Sequence, residues 1–226
     1  MQVGNARYLK PQDLPEVLPV FPLTGVLLLP GAQLPLNIFE PRYLAMFDDA
    51  LAGNRLIGMV QPSFDDSNHE TASNPHQPLC QVGCVGRITS FAEMEDGRYL
   101  ISLTGICRFR LLTEAHLVKG YRTFKTAPFA TDLSQGEDDA QVDRDALLAA
   151  FRAYLEANKL EADWESVERA SNRTLVNSMA MMSPYGPAEK QALLEAPDLK
   201  TRAETLIAIT EIVLARDFGD IGHLLQ

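Results

Sequence analysis

Long apolar runs are missing from the N-terminal part of this 226-residue sequence. The longest there, Val26 to Leu29, stops at Pro30, far below the roughly 20 residues a membrane helix needs. No basic segment leading into an apolar core opens the chain, so the expected compartment is the cytoplasm. Cysteine is scarce: Cys80, Cys84 and Cys107 are an odd set that does not suggest an exported disulfide framework. Basic residues are in deficit, 20 against 30 acids, and the formal net charge of -10 argues against a general affinity for polyanions. No Gly is followed by Lys, which removes the phosphate loop of nucleotide hydrolases, and no Gly-x-Ser-x-Gly elbow occurs.

What is present is organised around Leu18 to Leu51. Leu18 to Leu23, Val26 to Gly31 and Leu34 to Phe39 are short apolar runs cut by Pro and Gly, which predicts consecutive buried or edge strands rather than one helix. Glu40-Pro41-Arg42-Tyr43 then opens an amphipathic helix that Gly53 ends, with Pro41 at a first helical position and Glu40 at the positive end of the dipole. Its expected buried stripe is Leu44, Phe47 and Leu51, flanked by Tyr43 and Ala50, with Asp48 and Asp49 exposed.

Residues 1 to 16 are polar and predict a lead-in rather than a core element. Leu56 to Val60 is a further strand, and Gln61 to Pro78 has no periodicity and predicts a long loop. Leu79 to Lys125 predicts a β-meander with a hairpin turn at Asp96-Gly97. Ile101, Leu103, Cys107, Phe109 and Leu111 alternate inward, and Arg108 and Arg110 outward. Six or more strands around one early helix predict a small, partly open barrel over residues 1–127. Residues 128–139 read as an acidic linker, and 140–226 as a helical bundle. There Leu147, Phe151 and Tyr154, then Leu175, Met179 and Met182, then Leu199, Leu206, Ile209 and Val213 form stripes, the last helix closing before Gly219.

Chemistry-bearing patterns are few. His76, Cys80 and Cys84 are spaced four apart, but two thiols four residues apart on one strand are about 13 Å from each other, too far to share a zinc or a disulfide. Inert buried thiols are the preferred reading, and no metal or cofactor is expected. Arg87, Arg98, Arg108, Arg110, Lys119, Arg122 and Lys125 give the meander a candidate basic face, without interleaved aromatics that would stack bases.

Leu18 to Leu23, Leu29-Pro30-Gly31, Leu34 to Tyr43, Val82 to Ile88 and Gly105 to Phe109 together resemble the N-terminal, substrate-binding domain of the Lon protease family, and Glu189 to Leu206 resembles its helical subdomain. The resemblance runs from about Leu18 to Val213 and implies an α+β fold, a PUA-like six-stranded pseudo-barrel followed by a helical bundle. It resembles the short bacterial proteins made of that domain alone, without ATPase or peptidase modules, so no catalytic residue carries over. The function it implies is non-enzymatic recognition of unfolded polypeptides or a protein partner, with no membrane and no nucleic acid. The candidate site is an exposed apolar surface at Leu36, Ile38 and Phe39, with Glu40 and Arg42 as polar anchors, where an extended peptide adds to a sheet edge. The rival readings are an RNA-binding PUA-like module on the basic meander and a hydrolase built on Cys107 or His116.

Overall fold

The computed structural model describes residues 1–64, 77–134 and 141–223. The centre of the expected 61–78 loop, with His69 and His76, and the acidic run from Gln135 to Asp139 lie outside the described residues. The chain forms two units, residues 1–136 with 186–188, and residues 137–185 with 189–226.

The first unit carries β1 (Gln2–Val3), β2 (Ala6–Arg7), β3 (Val17–Pro22), β4 (Gln33–Ile38), α1 (Pro41–Ala52), β5 (Leu56–Val60), β6 (Val82–Glu93), β7 (Tyr99–Val118), β8 (Tyr121–Pro128) and the short α2 (Ala130–Leu133). Its six-stranded sheet runs β4-β7-β6-β5-β3-β8, and β7 also pairs with β8, which closes the sheet on itself. The 20-residue β7 makes this possible. Its first half lies between β4 and β6, and from Phe109 onward it pairs with β8. The β3–β5 pair is parallel, with α1 in the crossover between the two strands.

The segment Val26 to Leu29, expected as a strand, is irregular backbone. Leu27, Leu28 and Leu29 are nevertheless buried, because the chain here crosses the inner side of the sheet instead of joining its ladder. Two glycines admit it. Gly86 and Gly105 are paired across β6 and β7. A Cβ on Gly105 would stand 2.1 Å from the Leu29 carbonyl oxygen, and one on Gly86 would stand 2.9 Å from Leu28 Cδ2. The turn that follows has Pro30 at its second position and Gly31, with φ of 83°, at its third, and closes with Ala32 N donating to Leu29 O at 3.1 Å. A second pair, Gly58 and Gly83, leaves room for the ring of Phe109, whose Cζ would lie within 2.9 Å of a Cβ on either.

Helix α1 has the predicted bounds, from Pro41 to Ala52 with Gly53 after it, but its buried stripe is Tyr43, Met46, Phe47 and Ala50. Leu44 and Leu51 are only half-buried, one step around the helix. Fully buried Met46 sets the face. On its other flank Asp49 accepts from Lys119 Nζ at 2.6 Å and from the Tyr121 hydroxyl at 2.8 Å, which ties α1 to β8. Burial, and then the Asp49 carboxylate, push the Tyr121 phenol up to about 12.

Three further expectations change. Residues 1–16 are no lead-in: Val3, Tyr8 and Leu14 join Leu18, Val20, Ile106 and Phe109 in one core cluster. Arg108 does not face out; it is 2 % exposed, and its guanidinium grips Asp132 of α2 with Nε to Oδ2 at 2.9 Å and Nη2 to Oδ1 at 2.8 Å. Removing one partner of so buried a pair typically costs about 3–5 kcal/mol. The start of the expected linker is therefore structured, and Leu133 is buried in the barrel core.

The second unit holds α3 (Arg144–Ala157), α4 (Trp164–Arg169), α5 (Asn172–Met182), α6 (Pro187–Glu195) and α7 (Leu199–His223). Capping side chains start four of them: Asp143 accepts from Ala146 N, Asp163 from Ser166 N, Ser171 from Thr174 N, and Asp198 from Thr201 N. Buried Arg202 donates to the Leu193 carbonyl at 2.9 Å, joining α7 to α6. Met182 is 83 % exposed, so the α5 stripe consists of Leu175, Val176, Met179 and Ala180 instead. Helix α7 continues past Gly219, where an end was expected.

Gly105→Ala places a methyl group against backbone that cannot move aside, and is expected to lower unfolding stability by about 3 kcal/mol. Urea denaturation checks this; an unchanged midpoint contradicts the crossing of residues 27–29 over the sheet.

Candidate functional site

Strand β4 is the edge of the sheet, pairing with β7 alone among the described residues. Pro35, which has no amide hydrogen, suits that position. Strand alternation turns Leu36 and Ile38 inward and Pro35 and Asn37 outward. The expected exposed apolar surface is thereby corrected: Leu36 and Ile38 are 9 % and 2 % exposed, and Phe39 alone, at 65 %, stands in solvent.

These residues nevertheless meet at one place. A cleft of about 340 Å³ opens beside the β4 edge, and Leu36, Ile38, Phe39 and Glu40 line it together with Phe21, Leu23, Tyr43 and Pro62. The Phe21 and Tyr43 rings meet edge to face with centroids 4.4 Å apart, and Phe47 supports Phe21 from beneath at 6.0 Å. Burial raises the Tyr43 phenol above its ordinary value. The wall opposite β4 is held by Leu23 N donating to Val60 O at 3.0 Å, and by the side chain of buried Gln61, which accepts from Gly25 N at 2.9 Å.

Glu40 and Arg42 act first on each other. Arg42 Nε donates to Glu40 Oε2 at 3.0 Å, and its guanidinium carbon sits 4.6 Å from the Tyr43 ring centroid. Arg42 does not line the cleft; it borders a small neighbouring hollow with Val20, Tyr121 and Arg122. The contributions of Phe21, Leu23 and Pro62 were not foreseen from the sequence. The periodicity of a single strand does not reveal that β3 and β5 run parallel and carry their ends to β4.

The supposed basic face is largely neutralised by carboxylates. Arg98 pairs with Asp96, Arg108 with Asp132, Lys119 with Asp49, Arg122 with Glu114 and Lys125 with Glu16. Arg122 also donates to the Gln77 carbonyl at 2.7 Å. Of the hydrolase candidates, Cys107 is fully buried and its thiol is pushed up to about 12, chiefly by burial. It therefore supplies no thiolate near neutral pH. His116 is exposed and nine residues further along β7, about 30 Å of strand away. Among the described residues no group of His, Cys, Asp and Glu is arranged to hold a metal ion. No helix among them is long and apolar enough to cross a membrane.

The model of the ATP-dependent protease La (Lon) substrate-binding domain matches residues 17–211. The chain is 27 % identical to Lon protease 2 of Myxococcus xanthus over 203 residues, which are 88 % of this chain and 24 % of that protein. It is 27 % identical to the Lon protease of Anaeromyxobacter dehalogenans over 212 residues, 92 % of this chain and again 24 % of the relative. The chain thus spans about a quarter of the length of these curated relatives. Among solved structures, the N-terminal domain of the Mycobacterium avium complex Lon protease superposes with a TM-score of 0.63 at 19 % identity, covering 86 % of this chain and 98 % of that one. The Lon N-terminal domain protein from Xanthomonas campestris gives 0.60 at 22 %, covering 85 % and 97 %.

With Cys107 and Cys84 buried and Cys80 partly exposed, iodoacetamide at pH 8 is expected to label Cys80 first and to leave the other two unmodified until the chain unfolds. The raised Cys107 thiol also contributes stability that is present below its unfolded value of 9.0 and lost as pH rises toward about 12. Rapid native-state labelling of Cys107, read by peptide mass spectrometry, contradicts this.

Proposed function

The chain belongs to the family of ATP-dependent protease La (Lon) substrate-binding domains, and from that premise we propose that it recognises polypeptides, taking an exposed apolar segment into the cleft beside β4. The observation that carries the reading is the combination of a strand edge with no second partner among the described residues and an apolar cleft whose rim holds a solvent-exposed Phe39. An extended peptide adding to β4 gains main-chain hydrogen bonds from the edge, and its alternate side chains enter the cleft. Phe21 and Tyr43 form a rigid aromatic floor, so little side-chain freedom is lost on binding. Glu40, held by Arg42, offers a carboxylate at one end of the cleft for an amide or a basic side chain.

Binding without catalysis belongs to the same proposal; the burial of Cys107 counts against the thiol-hydrolase alternative. The RNA-binding alternative is weakened by the ion pairs that occupy most of the meander's cations. The cytoplasm, as the compartment where nascent and unfolded chains occur, belongs to the same proposal.

Reduced, carboxymethylated lactalbumin labelled with a fluorophore is expected to bind the wild-type chain saturably in anisotropy titrations. Phe39→Ala, at an exposed position that contributes little to folding, weakens that binding about five- to tenfold. Absence of binding, or equal affinity of the variant, contradicts the proposal.

A further inference from the structure

A second and larger opening, a groove of about 800 Å³, lies within the first unit between the N-terminal hairpin and the end of α1. Its lining includes three arginines, Arg7, Arg55 and Arg87, and a single carboxylate, Asp13. None of the three arginines has a carboxylate partner among the described residues, in contrast to most of the cations on the meander.

The fold sets all three residues on the lining. Arg87 lies on β6 opposite Leu56, and neutral oxygens hold it: Nη1 donates to the Tyr8 hydroxyl and the Asn54 carbonyl, each at 3.0 Å, and Nη2 donates to Asn5 Oδ1 at 2.9 Å. It is a partly buried cation oriented by dipoles, with no carboxylate paired to it among the described residues. Arg55 adopts a φ of 65°, an uncommon conformation for a non-glycine residue. Its backbone is fixed on both sides, N donating to Ala50 O at 2.9 Å and O accepting from Ile88 N at 2.8 Å. Arg7 closes β2 and is exposed. Asp13 does not neutralise them. Its Oδ2 accepts from the amides of Leu9 at 2.8 Å and Lys10 at 3.1 Å, so it serves its own turn.

We infer that this groove binds an acidic stretch of polypeptide, whose carboxylates pair with Arg7, Arg55 and Arg87. The guanidinium fork matches carboxylate geometry, and the open groove has room for several residues of extended chain. A nucleic acid fits less well: the one aromatic residue in the lining, Tyr8, is buried and offers no face for a base. The inference rests on the polypeptide-recognition reading and names a second determinant within it, separate from the apolar cleft.

The test is an anisotropy titration at about 50 mM salt with a labelled ten-residue peptide rich in Asp and Glu, beside its Asn/Gln counterpart, a single-stranded RNA decamer and the unfolded lactalbumin. Arg7→Gln/Arg55→Gln is the variant, because neither side chain has a hydrogen bond or ion pair that its loss would break among the described residues. An unchanged melting temperature checks its fold. The acidic peptide is expected to bind the wild type, to lose affinity severalfold at about 300 mM salt, and to bind the variant about tenfold more weakly. The amide counterpart is expected not to bind. The inference is overturned if the acidic peptide fails to bind, if the double variant binds it equally, or if the RNA binds more tightly and is weakened by the same variant. Lactalbumin binding without acidic-peptide binding removes the groove alone. Binding of neither removes polypeptide recognition with it.

Discussion

A chain segment that crosses the face of a sheet must meet that sheet where side chains are absent, and in the first unit the rest of the barrel depends on this contact. Leu28 and Leu29 pass over Gly86 and Gly105 so closely that a methyl group on Gly105 would collide with the Leu29 carbonyl oxygen. The crossing delivers the chain to the Pro30-Gly31 turn, and the turn sets the register of β4 on β7, from Gln33 opposite Thr104 to Ile38 opposite Tyr99. From there Glu40 and Pro41 start α1, whose Tyr43 and Phe47 reach back to Phe21. The edge strand, the aromatic floor and the exposed Phe39 are thus consequences of one close backbone approach.

Much of the first unit was legible because its signals are local. Pro41 and Gly53 delimit α1, Asp96-Gly97 marks the β6–β7 hairpin, and alternation identifies Ile101, Leu103, Cys107, Phe109 and Leu111 as core. What misled was long-range. Arg108 follows the alternation of an outward residue, yet α2 covers that face and brings Asp132 to it. Val26 to Leu29 has strand composition, but its partners are the glycines it crosses rather than a neighbouring strand. Polar residues 1–16 contribute Tyr8 and Leu14 to the core, a role set by where the β1–β2 hairpin docks. In the helical unit the α5 periodicity runs on to Met182, which is exposed, because periodicity does not say where a partner surface ends.

The candidate site divides along the same line. Leu36, Ile38, Phe39 and Glu40 do converge on a cleft, while Arg42, adjacent in sequence, turns away to the Tyr43 ring. The opposite wall, from Phe21 to Leu23 and Pro62, depends on the parallel pairing of β3 with β5. Two kinds of surface result on one small barrel, an apolar cleft beside an edge strand and a polar groove whose arginines have no carboxylate partner among the described residues. Unfolded chains expose apolar and charged segments together, which is why the proposed recognition of polypeptides draws on both surfaces.

Hydrogen–deuterium exchange of the chain, free and saturated with unfolded lactalbumin, tests the central claim most directly. Strand addition at the edge predicts slower exchange confined to residues 33–40 and 21–25, with the amide of Asn37 among those protected. Unchanged exchange in these segments, with protection appearing only in the helical unit, contradicts it.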